Sequence, residues 1–139
     1  MSNTLTRQTI SAEAAGKMIA AAEAKATEMK RPMCIAIVDD SGNLKAFSRM
    51  DGAPVIGLQI SQDKAWTAVS FGVSTAQWFD FIKDDPPLLH GIVHTPRLVV
   101  FGGGIPIKIE KQLVGGIGVS GGHYKEDIQV AEAGLQALK

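Results

Sequence analysis

The sequence contains a single cysteine, Cys34, so no disulfide can form within the chain. It has no excess charge of either sign, because 14 Lys and Arg residues balance 14 Asp and Glu residues. Without a basic surface, nucleic acid is not a predicted partner. No apolar run approaches the ~20 residues that a transmembrane helix needs, and the first residues lack the apolar core of a signal peptide. We therefore expect a cytoplasmic protein without a membrane partner.

The composition is that of an ordinary globular protein, with 45% hydrophobic and 20% charged residues. A chain of 139 residues buries roughly 70% of its unfolded surface on folding, so it needs no structural metal. Internal repeats, linkers and low-complexity segments are absent, and residues 1–139 are predicted to form one domain. Cys34 lies in the apolar run MCIAIV, which predicts a buried strand residue and not a reactive thiol.

Apolar periodicity and turn residues predict an α+β fold. A hairpin signal at Gly42 makes the neighbouring strands antiparallel, so we expect an antiparallel sheet of about five strands with helices packed against it. Ser11 is the predicted cap of the first helix, and Ile56 and Ile60 are predicted core residues. Residues 90–96 are predicted to be irregular or a single turn. The predicted helices are 12–30, 55–70, 74–82 and 124–138, and the predicted strands are 4–10, 34–38, 44–50, 98–101, 105–109 and 116–119.

Residues 116–121 match the pattern G-x-G-x-x-G before a predicted helix. The dinucleotide interpretation fails, because that fingerprint needs a βαβ unit and here no strand follows the helix. Two interpretations stay open for Ser120, Gly121 and His123. In the first, these residues bind an anion, because they lead into a helix N-terminus with free N–H groups. In the second, the glycines serve only turns and close packing.

A second glycine run, residues 102–104, follows an apolar segment. It predicts either a bulge or turn, or a flat ligand lying against bare backbone at Gly103 and Gly104. Lys64 lies on a helix of small and apolar residues, where a cation neutralises a ligand carboxylate or phosphate. The alternative is an exposed lysine, or one paired with Asp51 or Asp63.

His90 and His94 are four residues apart, a spacing that places two metal ligands on one face of a helix. The surrounding prolines and the lack of a recognisable third ligand argue against a zinc-type site. A single histidine as an axial haem ligand needs no second residue, so this reading stays open for either side chain.

Five motifs occur in an order that resembles the GlcG/HbpS-like family, which is also called the haem-degrading domain family and includes the C-terminal domain of PduO-type proteins. They cover residues 38–44 (VDDSGNL), 49–53 (RMDGA), 63–68 (DKAWTA), 103–107 (GGIPI) and 115–121 (GGIGVSG). The resemblance implies a profilin-like fold, with a five-stranded antiparallel sheet between helices in three layers, and a homo-oligomer from dimer to octamer. It marks Asp51, Lys64, Gly103, Gly104 and Gly121 as pocket or interface candidates.

The resemblance also implies haem as a possible cofactor, because some members bind haem or take part in its degradation. It supplies no axial ligand, since no family motif covers residues 84–97. A haem- or tetrapyrrole-binding protein is therefore the first hypothesis. The second is an enzyme acting on a small carboxylate-bearing metabolite, held by Lys64, Arg49 or the helix start at Tyr124, with His90, His94 or His123 as acid or base. The third is an accessory subunit without chemistry.

Overall fold

The computed structural model describes residues 2–139. A long helix precedes a β-hairpin, three helices follow, and a second hairpin leads into the last helix. These elements are α1 (Ala12–Glu28), β1 (Cys34–Asp39), β2 (Leu44–Arg49), α2 (Gly57–Phe71), α3 (Thr75–Ile82), α4 (Pro86–Gly91), a 3₁₀ turn (Ile92–His94), β3 (Gly104–Ile109), β4 (Gln112–Ser120) and α5 (Tyr124–Gln136).

The sheet has the strand order β2-β1-β4-β3, and every neighbouring pair is antiparallel. Successive side chains of a strand point to opposite faces. Ile35 and Ile37 of β1 join the core beneath α1 and α5, whereas Ala36 and Val38 face α2. Helices therefore cover both faces of an antiparallel sheet, which confirms the predicted α+β class.

The prediction of five strands is wrong, because the sheet has four. The predicted strand at residues 98–101 is a loop tied to α2. The Thr67 hydroxyl accepts the Val99 N–H at 3.1 Å and donates to the Arg97 carbonyl at 2.8 Å, so these groups need no neighbouring strand. The predicted strand at residues 4–10 is also absent, although Ile10 donates its N–H to Val114 O at 3.0 Å.

Helix α2 lies directly against the sheet because the strands present glycines to it. A Cβ on Gly118 would come within 2.5 Å of the Ala65 backbone nitrogen, and one on Gly104 within 2.9 Å of the Lys64 carbonyl carbon. Side chains at these positions would push the helix away from the sheet. The glycines therefore bring Lys64 close to β3 and β4.

The helix caps follow the sequence in most places. Ser11 accepts the Ala14 N–H at 3.1 Å, as predicted. Residues 86–94 are more regular than expected, since Asp85 caps the short helix α4 and the 3₁₀ turn continues it.

The expectation that Ile56 belongs to the core is wrong, because its side chain is 71% exposed. Among residues 2–139, no helix has the length and apolar character that crossing a bilayer requires.

Candidate ligand cleft

A buried ion pair forms the floor of the candidate site. Lys64 is fully buried, and its ammonium donates to Asp127 Oδ2 at 2.9 Å and to the Val119 carbonyl at 2.8 Å. The same nitrogen lies 5.1 Å from the centre of the Phe101 ring, within the range of a cation–π contact. The floor therefore satisfies the ammonium without solvent.

Burial and mutual attraction act in opposite directions on the pKa values of Lys64 and Asp127. Burial lowers the pKa of Lys64 and raises the pKa of Asp127 from their ordinary values, while the mutual attraction opposes both shifts. The pairing of Lys64 with Asp51 or Asp63 considered from the sequence does not occur. Asp63 instead accepts from Arg97 Nε at 3.0 Å.

The loop between β4 and α5 is held by the first turn of α5. Asp127 Oδ1 accepts the Gly122 N–H at 3.0 Å, and Glu126 Oε1 accepts the His123 N–H at 3.0 Å. The His123 Nδ1 atom accepts the Lys125 N–H at 3.2 Å. Hydrogen bonds from the His123 N–H and then from Arg31 Nε are the main causes that lower the pKa of Glu126. The chain's own side chains thus occupy these N–H groups.

This capping bears on the anion interpretation of residues 120–123, which stays a prediction. Three N–H groups of this turn, those of Gly122, His123 and Lys125, already donate to Asp127, Glu126 and the His123 ring. Two of these acceptors are carboxylates, which repel a second anion. These contacts favour the other interpretation, in which the glycines serve a turn and close packing.

Two adjoining hollows lie above the floor and share Phe101 and Tyr124 as a common wall. Their volumes are about 330 Å³ and 380 Å³, each within the usual range for small-molecule sites. Apolar side chains and glycines dominate both linings. The first hollow is lined by Pro54, Ile56, Ile60, Phe101, Ser120, Gly121, Gly122, His123, Tyr124 and Asp127, and the second by Ala76, Phe79, Val100, Phe101, Gly102 and Tyr124.

A larger depression of about 560 Å³ lies between β3 and the end of α5. Its charged residues Lys108, Glu110, Glu132 and Lys139 are all exposed. Exposed charges of this kind hold little specific binding energy, whereas the cleft at Phe101 combines aromatic walls with a buried polar floor. The cleft is therefore the better candidate site.

The structure brings together half of the residues that the sequence singled out. Ser120, Gly121 and His123 line the first hollow, and Lys64 lies beneath it. Gly103 covers Lys64: its φ of +127° favours glycine, and a Cβ there would lie 2.6 Å from the ammonium nitrogen.

The other predicted residues lie away from the hollows. Gly104 is buried against α2, and Arg49 is exposed with its Nε 3.4 Å from the Ala53 carbonyl. Asp51, His90 and His94 are exposed and line neither hollow. Within residues 2–139, no three His, Cys, Asp or Glu side chains come together as a metal site would require. The structure thus brings no further ligand to His90 and His94.

Sequence reasoning missed three residues of the cleft. Phe101 was assigned to a strand, Tyr124 only to a helix start, and Asp127 only to the predicted helix 124–138. One sequence feature could have pointed to Asp127. It is a carboxylate in the first turn of a helix that follows a glycine loop, and Lys64 needed an acidic partner. Nothing in the spacing connects positions 64 and 127.

Comparison with known proteins adds evidence that the geometry alone does not contain. The family model described as "Haem degrading protein HbpS-like" matches residues 10–136. An uncharacterized 15.0 kDa protein from the dhaT-dhaS intergenic region of Citrobacter freundii is 39% identical, over 94% of this chain and 92% of that protein.

Two crystal structures share the fold. The Klebsiella pneumoniae protein ORFY superposes with a TM-score of 0.93 at 36% identity, over 99% of this chain and 95% of that one. The PduOC–heme complex superposes with a TM-score of 0.85 at 29% identity, over 93% of this chain and 94% of that one. With a family model that matches nearly the whole chain and relatives of equal length, the protein belongs to the HbpS-like family.

Proposed function

We propose that this protein binds haem or a related tetrapyrrole in the cleft at Phe101 and Tyr124. The observation that carries the proposal is the pair of aromatic side chains, 45% and 42% exposed, that stand between two apolar hollows. Exposed aromatic rings of this kind offer flat faces to a planar ligand. The family description and the heme complex of PduOC support the same ligand class.

The residues present fit the chemistry of such a ligand. Its apolar macrocycle requires apolar walls, which Ile56, Ile60 and Phe79 supply beside the two aromatic rings. Its peripheral carboxylates require cations outside the hollows. Lys125 is exposed directly after Tyr124 on the solvent side. Bound haem would supply an iron centre with redox and oxygen chemistry, whereas the chain supplies the binding surface.

A small carboxylate-bearing metabolite fits the same cleft less well. The cation expected to hold the carboxylate, Lys64, is already neutralised by Asp127. The N–H groups of Gly122 and His123 are also taken. An anionic ligand would have to displace internal carboxylates, which costs the hydrogen bonds that order the loop.

Titration of the purified protein with haemin tests the proposal. We expect a shifted Soret band that saturates at one haemin per chain. Phe101→Ala should weaken the affinity about two- to tenfold, because one aromatic contact contributes roughly 0.5–1.5 kcal/mol. Phe71→Ala is the matched control, since Phe71 is 64% exposed and lines neither hollow.

Two results would count against the proposal. One is a Soret band that stays at the position of free haemin across micromolar titrations. The other is an equal loss of affinity in Phe101→Ala and Phe71→Ala, because a ligand that adheres to any exposed aromatic residue does not use the cleft.

A further inference from the structure

Four side chains that line the two hollows carry an oxygen or nitrogen able to approach a metal. They are Ser120, His123, Tyr124 and Asp127. Proteins hold haem iron through His, Cys, Met or Tyr side chains. The only cysteine, Cys34, is fully buried in β1, so the choice within the cleft lies between His123 and Tyr124.

Asp127 and Ser120 are unsuited for this role. Both carboxylate oxygens of Asp127 are engaged, one by Lys64 and one by the Gly122 N–H. Removing either oxygen from its partner would leave a buried charge or donor unsatisfied. Ser120 is 8% exposed and carries only a neutral hydroxyl.

The hydrogen bonding of His123 argues against its use as an iron ligand. Its Nδ1 accepts the Lys125 N–H at 3.2 Å, so in the neutral ring the proton resides on Nε2. Coordination through Nε2 would move that proton to Nδ1, where it would face the Lys125 N–H donor to donor. Iron binding by His123 would therefore break the cap of α5.

Tyr124 has none of these constraints. It lines both hollows, is 42% exposed, and its hydroxyl makes no hydrogen bond within residues 2–139. Its backbone is fixed as the first residue of α5, and its ring stacks on His123 with the centroids 4.2 Å apart. It is the only tyrosine in the sequence.

We infer that the Tyr124 phenolate is the axial ligand of ferric haem in this protein, an inference that rests on the proposed function. The oxygen–iron bond forms as the water on the haemin iron is displaced and the hydroxyl proton leaves to solvent, so one proton is released. Because the bound form has lost a proton, haemin affinity rises with pH. An anionic oxygen ligand also favours ferric over ferrous iron.

Haemin titrations of the wild type and Tyr124→Phe, followed by absorbance and resonance Raman spectroscopy, test the inference. The phenylalanine keeps the ring that lines both hollows, so it removes the oxygen alone. We expect tyrosinate vibrations and a phenolate-to-iron charge-transfer band in the wild type. In Tyr124→Phe both should vanish, and the affinity should fall at least about tenfold.

Two further variants locate the ligand if it is not Tyr124. His123→Asn keeps a residue that caps helices well, and we expect it to keep the tyrosinate bands. The double variant His90→Ala/His94→Ala should match the wild type, because both residues lie outside the hollows. Loss of the Soret shift in either variant, with the shift retained in Tyr124→Phe, would overturn the inference.

Failure of the inference is distinct from failure of the proposed function. A wild-type spectrum that Tyr124→Phe reproduces in full removes the Tyr124 ligand but keeps haem binding. A wild-type protein that gives no Soret shift removes both.

Discussion

The floor of the cleft, formed by Lys64 and Asp127, differs from its rim, formed by Phe101 and Tyr124, in burial and in bonding. At the floor, Lys64 and Asp127 are almost completely buried and each charged group has protein partners. At the rim, Phe101 and Tyr124 expose nearly half of their surface and leave space on both sides. Buried charges are costly unless they are paired, so the floor is committed to the fold. The rim is the part that remains available to a ligand.

Breaking the floor should give the largest loss of stability. In Lys64→Met the Asp127 carboxylate stays buried without its cation, and removing one member of such a pair costs about 3–5 kcal/mol. Urea unfolding followed by circular dichroism measures the change. Lys125→Met is the control, because Lys125 is exposed on the same helix as Asp127 and should change stability by about 0.5 kcal/mol or less.

A variant without either charge of the floor tests whether the unpaired carboxylate causes the loss of stability in Lys64→Met. Lys64→Met combined with Asp127→Leu removes both charges, so the double variant should be more stable than Lys64→Met alone. Equal or additive losses in the double variant would show that the pair is not the reason for the effect.

A side chain added to the glycine face of the sheet beneath α2 should cause an intermediate loss of stability. An alanine at Gly104 would place its Cβ 2.9 Å from the Lys64 carbonyl carbon and 2.7 Å from Thr75 Cγ2. We expect a loss of about 1–3 kcal/mol from overpacking, measured by the same unfolding experiment. Gly91→Ala is the control, since no atom lies within 4 Å of its added Cβ. A destabilisation of Gly91→Ala equal to that of Gly104→Ala would contradict the close-packing role.

The smallest effect is expected at the loop that joins floor to rim. The pKa of Glu126 is lowered from its ordinary value of 4.5, chiefly by the His123 N–H and then by Arg31. A carboxyl with a lowered pKa stabilises the fold above its unfolded pKa, and this contribution is lost as the pH falls through the folded pKa. The hydrogen bond that protects the His123 amide should therefore weaken as the pH falls below 4.5. Hydrogen exchange at this amide should then be faster than the change of its intrinsic rate with pH explains.

Glu126→Gln removes this titration but keeps an oxygen that accepts the His123 N–H. Its exchange at His123 should follow solvent acidity alone. Glu132→Gln changes an exposed glutamate later in α5 and should keep the wild-type profile. The explanation fails if Glu126→Gln shows the wild-type acid dependence.

The fold was largely predictable because its signals are local. The continuous apolar run of residues 34–38 reflects a strand buried on both faces, and the helical spacing of Ala15, Met18, Ala22 and Ala26 reflects burial of one helix face. The strand count was not predictable from such patterns. The apolar run at residues 98–101 matches a strand in composition, and only the hydroxyl of Thr67, some 30 residues earlier, draws its backbone away from the sheet.

The candidate site was less predictable because its key contacts are distant in sequence. Lys64 stood out as a cation on an apolar helix, but its partner Asp127 lies 63 residues away. The sequence also could not decide between the anion and packing interpretations of the glycine loop. Whether loop N–H groups are free depends on where the side chains of Glu126 and Asp127 turn, and composition does not determine that.

The strand order β2-β1-β4-β3 has a consequence for biosynthesis. The two inner strands pair with each other, yet β4 is translated long after β1, with β2, three helices and β3 between them. At about 5–20 residues per second, Lys64 is synthesised roughly 3–13 s before its partner Asp127, which lies 63 residues later. During that interval β1 has only β2 of its two neighbours and Lys64 has no carboxylate partner, so the sheet and the floor of the cleft are completed only when the last helix emerges.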